Sequence, residues 1–245
     1  MKAKILIAFL IISGFVKCNS QQKVSTVTPT ADAVYTYKNA TEDGIGKYYL
    51  GREIAHVMGA GGGAWLEREE REKEENTNMV ITKIDLPSNA TIADIGAGTG
   101  YYSFKLAAKV PNGKVYAVEV QDEFITYLKN KKQQLKDSVL EVVKGTEITP
   151  NLPANSVDLA IMVDVYHELE YPHEMLESLF KSLKSNGKIL LIEYRGEDPA
   201  VAIKALHKTT VKQINKELNA NGFKLYFQGE FLPIQHYLLY EKTKK

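Results

Sequence analysis

From residue 88 onward, short apolar runs alternate with longer amphipathic stretches, and most changes of period carry a turn signal. Period and residue type predict a strand at 91–95, then a helix at 101–109. Pro111-Asn112-Gly113 turns the chain into a second strand at 115–120, followed by a helix at 122–136 and a third strand at 139–143. A fourth strand is expected at 157–163, a helix at 172–184 closed by Asn186-Gly187, and a fifth strand at 188–193. Thr210 with Gln213 three residues on forms a capping box for a helix that stops at Asn221-Gly222. Two last apolar runs, 223–227 and 236–240, close the chain with no helix between them. Alternation of this kind is the signature of an α/β domain, with ligands bound beyond the carboxyl ends of its strands.

Residues 35–87 have a different character and read as an N-terminal helical cap. Its one long periodic stretch is 64–76, a helix with Glu67/Arg71 and Glu69/Lys73 at i,i+4 spacing. Gly61-Gly62-Gly63 before it reads as a hinge, with Trp65 and Arg68 on the segment it would swing. Residues 19–34 are a polar linker. Residues 1–18 read as a targeting signal: Lys2 and Lys4 precede twelve apolar residues, Ile5 to Val16, and then the single cysteine, Cys18. That order resembles a bacterial lipoprotein signal, although Lys17 stands where such signals carry a small residue. The resemblance implies a cell-envelope location with a membrane tether through Cys18.

The first strand runs into Gly96-Ala97-Gly98-Thr99-Gly100, and 23 residues past Gly96 the second strand ends on Glu119. An acid at the tip of that strand is placed to accept from two ribose hydroxyls. The spacing is G-x-G-x-G, and the sixth position of a dinucleotide fingerprint falls on Tyr101, which speaks against a nicotinamide dehydrogenase. Asp94 with Gly96, Gly98 and Gly100 instead resembles motif I of the class I S-adenosylmethionine (SAM) methyltransferases. The resemblance implies a doubly wound, mostly parallel seven-stranded Rossmann-like sheet at 88–245, ending in an antiparallel hairpin made by the last two runs. It further implies that the loop, Ala97 included, passes under the cofactor, with Asp94 near its amino end and Glu119 on its ribose. Glu147, after the third strand, would take the adenine amino group. Asp164 opens a segment, Asp164-Val165-Tyr166-His167-Glu168-Leu169, similar to the one that lines the transfer site in small-molecule methyltransferases.

Composition narrows the chemistry. A formal charge of +1 leaves no basic surface for nucleic acid, and no Asn/Asp-Pro-Pro-aromatic sequence follows the fourth strand. One cysteine in 245 residues excludes a disulfide framework, a cysteine zinc cluster and a cytosine-C5 transferase, and no metal site is expected. A small-molecule or lipid-borne methyl acceptor is the remaining class. His167 is the candidate general base, since imidazole titrates near neutral pH. Tyr166 is a candidate ring for the sulfonium and Arg195 for an acidic acceptor group. Because SAM is made in the cytosol, a second reading keeps the fold and drops the catalysis: an envelope-anchored, non-catalytic binding protein.

Overall fold

In the computed structural model, which describes residues 34–243, seven strands form one sheet and three form a second. The targeting signal and nearly all of the linker expected at 1–34 lie outside the described residues. The small sheet comes first: β1 (Tyr35–Tyr37), β2 (Gly44–Tyr49) and β3 (Arg52–Ala55). Short helices α1 (Gly63–Leu66), α2 (Arg71–Glu75) and α3 (Thr77–Lys83) follow. The large sheet is built from β4 (Thr91–Ile95), β5 (Lys114–Glu119), β6 (Leu140–Lys144), β7 (Val157–Val163), β8 (Leu183–Tyr194), β9 (Phe223–Gly229) and β10 (Gln235–Lys242). Its order is β6-β5-β4-β7-β8-β10-β9, with the first five strands parallel and β10 antiparallel to both neighbours. This is the class I methyltransferase architecture.

Alternation along the central strands sorts the core into two layers. Ile92, Val115, Leu190 and Ile192 face α4 (Tyr101–Lys109) and α5 (Asp122–Leu135), through Leu106 and Leu128. Ala93, Val118, Met162 and Leu191 face α6 (Pro172–Ser182) and α7 (Val211–Ala220), through Leu176, Ile214 and Leu218. Parallel strands covered on both faces read as unbroken apolar runs, as 157–163 does. The helix expected at 172–184 ends at Ser182 because Leu183 already pairs with Val157.

The N-terminal extension departs from the helical cap expected of it. Residues 35–55 form the antiparallel sheet, whose hairpin turns on Leu50-Gly51 with φ of 47° and 96° between the paired Tyr49 and Arg52. Two positive φ values in a two-residue loop match the right-handed twist of the strands. The helix expected at 64–76 is broken between Leu66 and Arg71. Arg68 folds back onto the Trp65 ring at 3.8 Å and donates to the Trp65 carbonyl, while Arg71 donates to the Leu66 carbonyl. The guanidiniums thus take acceptors that a continuous helix would use, and neither expected i,i+4 pair forms. Glu67 pairs with Lys131 instead, and Arg71 with Glu75.

Arg52 fastens the small sheet to the domain. Its guanidinium makes two bonds to Glu217 of α7, at 2.8 and 2.9 Å, and Glu217 also accepts from Tyr166 and Gln213. Glu217 is fully buried. Removing one partner of such a pair leaves an uncompensated buried charge, so Glu217→Ala should cost about 3–5 kcal/mol in a urea melt. A loss below about 1 kcal/mol would mean that Arg52 finds water or another acceptor.

Candidate active site

The glycine loop leaves β4 as a tight bend. Gly96 and Ala97 both donate to the Val118 carbonyl, which pins the loop to the neighbouring strand. Gly96 and Gly98 have φ of 72° and 53°, and a Cβ on either would collide within 2.7 Å, with Val165 at Gly96 and with Leu66 at Gly98. Conformation and close approach both require glycine there. Beyond the loop, Glu119 is 4% exposed. One of its oxygens accepts from the Gly98 N–H at 2.9 Å and the other from Val120 and Gln121 N–H at 2.7 and 2.9 Å. Strand-end acid and glycine loop are therefore one hydrogen-bonded unit.

Two more carboxylates lie at the same edge of the sheet. Asp94 is 3% exposed and accepts from the Ser103 hydroxyl. Burial is the main cause that pushes its carboxyl up to about 6, with Glu119 adding to it against the Ser103 bond and the field of Arg71. Asp164 sits at a positive φ of 53° and accepts from Gln235 Nε2. Burial first, then Glu75 and Glu193, raises it well above the usual carboxylate range. Among the described residues Asp94, Glu119 and Asp164 have no ion-pair partner. Two buried polar atoms nearby, the Tyr102 hydroxyl and Gln235 Oε1, have no hydrogen-bond partner.

A strap formed by residues 60–75 covers this edge. Glu75, fully buried, accepts from Arg68, Arg71 and the hydroxyl of Tyr194 at the end of β8. Leu66 lies against Gly98, and a hollow of about 350 Å³ remains between Ala60, Gly63, Ala64, Thr99, Phe124 and Tyr127. Of the three glycines read as a hinge, Gly62 and Gly63 serve close approach, to Met58 and to Phe124. The strap is also tied at Met58, whose carbonyl accepts from Gln121 Nε2 and whose N–H donates to Glu168.

His167 follows β7 in a single turn of 3-10 helix, Tyr166–Glu168, and is 2% exposed. Its Nδ1 lies 2.6 Å from Glu193, which is fully buried and also accepts from the N–H groups of Val165 and Tyr166. Burial opposes a charged ring, but Glu193 and Glu168 outweigh it and lift His167 to about 10. Glu168 moves the other way: bonds from His167 and His207 overcome burial and draw it to about 2.

Other expected site residues stand elsewhere. Tyr166 is buried under Arg52 with its hydroxyl donated to Glu217, so its ring serves the junction with the small sheet. Arg195 donates to the carbonyls of Leu232 and Gln235 and pairs with Glu230, which occupies the guanidinium with the approach to β10. Glu147 is exposed on the loop after β6. Arg71, Glu75, Glu193, Tyr194 and Gln235 carry much of the site's electrostatics; Arg71 stood in an expected pair with Glu67 that does not form, and the others belong to no spacing that the sequence displays. The nearest signal was Glu193-Tyr194 itself, two polar residues ending an apolar strand.

Comparison with known proteins agrees with this geometry. Residues 93–189 match the family model described as a methyltransferase domain. A demethylmenaquinone methyltransferase of Oceanobacillus iheyensis is 27% identical over 114 residues, 46% of this chain and 48% of that protein. A tRNA U34 carboxymethyltransferase of Helicobacter pylori is 30% identical over 120 residues, 44% of each. The chain thus spans about half the length of the curated relatives it matches. Among solved structures, a SAM-dependent methyltransferase from Aquifex aeolicus superposes with a TM-score of 0.70 at 25% identity, covering 75% of this chain and 98% of that one.

The cofactor these likenesses imply is S-adenosylmethionine, and the residues present suit it. Its sulfonium and ammonium are cations, and the crevice holds three carboxylates without a paired cation, beside an unpartnered amide oxygen and hydroxyl. Its sugar needs an acid such as Glu119 supplies at the strand end. The raised carboxyl of Asp94 has a thermodynamic consequence. A folded-state value of about 6 against 3.8 unfolded means the native protein holds the proton more tightly, so stability falls as pH rises through that interval and the penalty is complete above it. Asp94→Asn should therefore stabilise the cofactor-free protein at pH 7.5 by about 1–3 kcal/mol while weakening cofactor binding. Equal melting of variant and parent at pH 7.5 would show that Asp94 carries no such penalty.

Proposed function

We propose that the chain is a SAM-dependent methyltransferase acting on a small-molecule or lipid-borne acceptor. The observation that carries this reading is the bonded unit of Glu119 and the Gly98 N–H, set at the carboxyl ends of parallel strands beside buried, uncompensated acids. In this reading Glu119, Gly96, Ala97, Gly98 and Gly100 hold the nucleoside side of the cofactor, and Asp94 and Asp164 its cationic end. Bound there, the cofactor supplies an activated methyl group on a sulfonium. The chain's own part is to exclude water and orient the acceptor; His167, lifted to about 10, holds its proton at neutral pH and so serves as a donor rather than as the general base expected of it. His167, with Glu168 and His207, is the group assigned to the acceptor's side. Residues 60–75 act as a lid, since Leu66 against Gly98 and the Glu75 clasp must yield for the crevice to admit a ligand. The lipid-borne class is supported by the lipoprotein-like sequence read at 1–18.

The covered loop also supports a second reading, in which the same fold serves as an envelope-anchored binding protein without methyl transfer. Calorimetric titration separates the two. SAM and S-adenosylhomocysteine should both bind the parent and lose most of their affinity in Glu119→Ala. A folded parent that binds neither at millimolar concentration removes the enzyme reading.

The acceptor class is open to direct assay with methyl-labelled SAM offered to phenols, quinones, thiols, lipid extract and bulk tRNA. Label is expected in the small-molecule or lipid fraction; label in tRNA would overturn that class. His167→Ala should lower transfer by roughly 100-fold and leave cofactor affinity nearly unchanged. An undiminished rate would return the histidine to a structural role.

A further inference from the structure

Three ligating atoms converge beside the crevice from two separate turns of 3-10 helix, Tyr166–Glu168 and Ala205–His207. His167 Nε2 lies 3.1 Å from His207 Nδ1, His207 Nδ1 lies 3.3 Å from Glu168 Oε1, and His167 Nε2 lies 3.7 Å from that same oxygen. We propose that His167, Glu168 and His207 form a divalent-cation site, with zinc the cation that the donors suit best.

The spacing carries the argument. Zinc bonds of about 2.1 Å in a tetrahedron set neighbouring donors about 3.4 Å apart, and the three measured separations bracket that value. Two imidazoles and one carboxylate suit zinc and its neighbours in the first transition row, whereas magnesium and calcium prefer all-oxygen shells.

The surroundings are those of a supported ligand set. Glu193, fully buried, meets Nδ1 of His167 at 2.6 Å, which turns Nε2 toward the gap and fixes the ring. The Met58 N–H takes the second oxygen of Glu168 at 3.1 Å and leaves the first facing the two histidines. Three protein ligands leave a fourth position for water or for the oxygen or sulfur anion of a ligand. The cation site stands on this geometry. A link to methyl transfer, in which the metal holds the acceptor as its anion in place of a general base, rests on the function proposed above.

The test uses the full chain, stripped with chelator and titrated with zinc alone, with cobalt as a spectroscopic substitute. One zinc per chain is expected, and cobalt should give the intense visible bands of a tetrahedral complex. His207→Ala should lose at least 100-fold in zinc affinity and Glu193→Gln about 10- to 100-fold. His56→Ala, whose exposed ring lies outside the cluster, should bind as the parent does. A folded parent that takes up no zinc overturns the site, as does equal affinity in His207→Ala. A SAM titration on the same sample keeps the two readings apart. SAM bound without zinc removes the metal site alone, and zinc bound without SAM supports the site while removing methyl transfer.

Discussion

Concentration of buried carboxylates at one edge of a parallel sheet is the constraint on which the rest of the structure turns. Asp94, Glu119, Asp164 and Glu193 each end, or stand just beyond, a central strand; Asp94, Glu119 and Glu193 are almost wholly withdrawn from water, and Asp164 is partly so. Burying an ionised carboxyl without a partner is costly enough that the group must be paired, protonated or richly hydrogen-bonded. The four meet that demand differently. Glu119 collects three backbone N–H groups, and Glu193 collects two together with the His167 ring. Asp94 has one hydroxyl and Asp164 one amide, and these are the two that burial pushes upward. Demand for positive charge is therefore concentrated where a cationic ligand would lie.

The strap answers part of that demand from the chain itself. Arg71, on α2, is the guanidinium whose field lowers both Asp94 and Asp164. It arrives with Glu75, which opposes it, and the clasp is balanced by Arg68 and the Tyr194 hydroxyl. Closure thus brings a cation toward the two acids least well satisfied by hydrogen bonds, together with an anion that Asp164 feels as repulsion. A covering segment with that mixed character is held by electrostatics more than by apolar contact, since Trp65 remains 48% exposed on it.

The large sheet was legible because its signals are local. Apolar runs, the Pro111-Asn112-Gly113 turn, the Thr210 helix cap and the alternate glycines each act within a few residues, and the observed elements fall within a few residues of the expected ones. Of the expected capping box only the Thr210 half forms, the Gln213 side chain reaching Leu50 and Glu217 instead. The small sheet was not legible, because its hairpin turns on Leu50-Gly51 where the favoured signal is Asn-Gly. A leucine at φ 47° is unfavourable by itself and is held by the strands on either side. The broken helix at 64–76 failed for a related reason. Glutamate and arginine are good helix formers, but Arg68 and Arg71 gain more by reaching buried Glu75 than by continuing the turn.

The histidine cluster marks the limit of reading along the chain. His167 was visible as a residue at a strand end, and Glu168 beside it, yet neither their sequence nor the single cysteine suggested a metal. The third ligand lies forty positions further on, in a segment with neither strand nor helix periodicity. What unites them is topology. β7 and β8 are adjacent and parallel, so the turn after β7 and the acid closing β8 come together at one edge. The Arg195–Thr209 bridge then carries the returning chain past the same edge, bringing His207 with it. A parallel sheet gathers its strand ends on one side by construction, and chemistry assembled there from distant residues leaves no motif in the sequence.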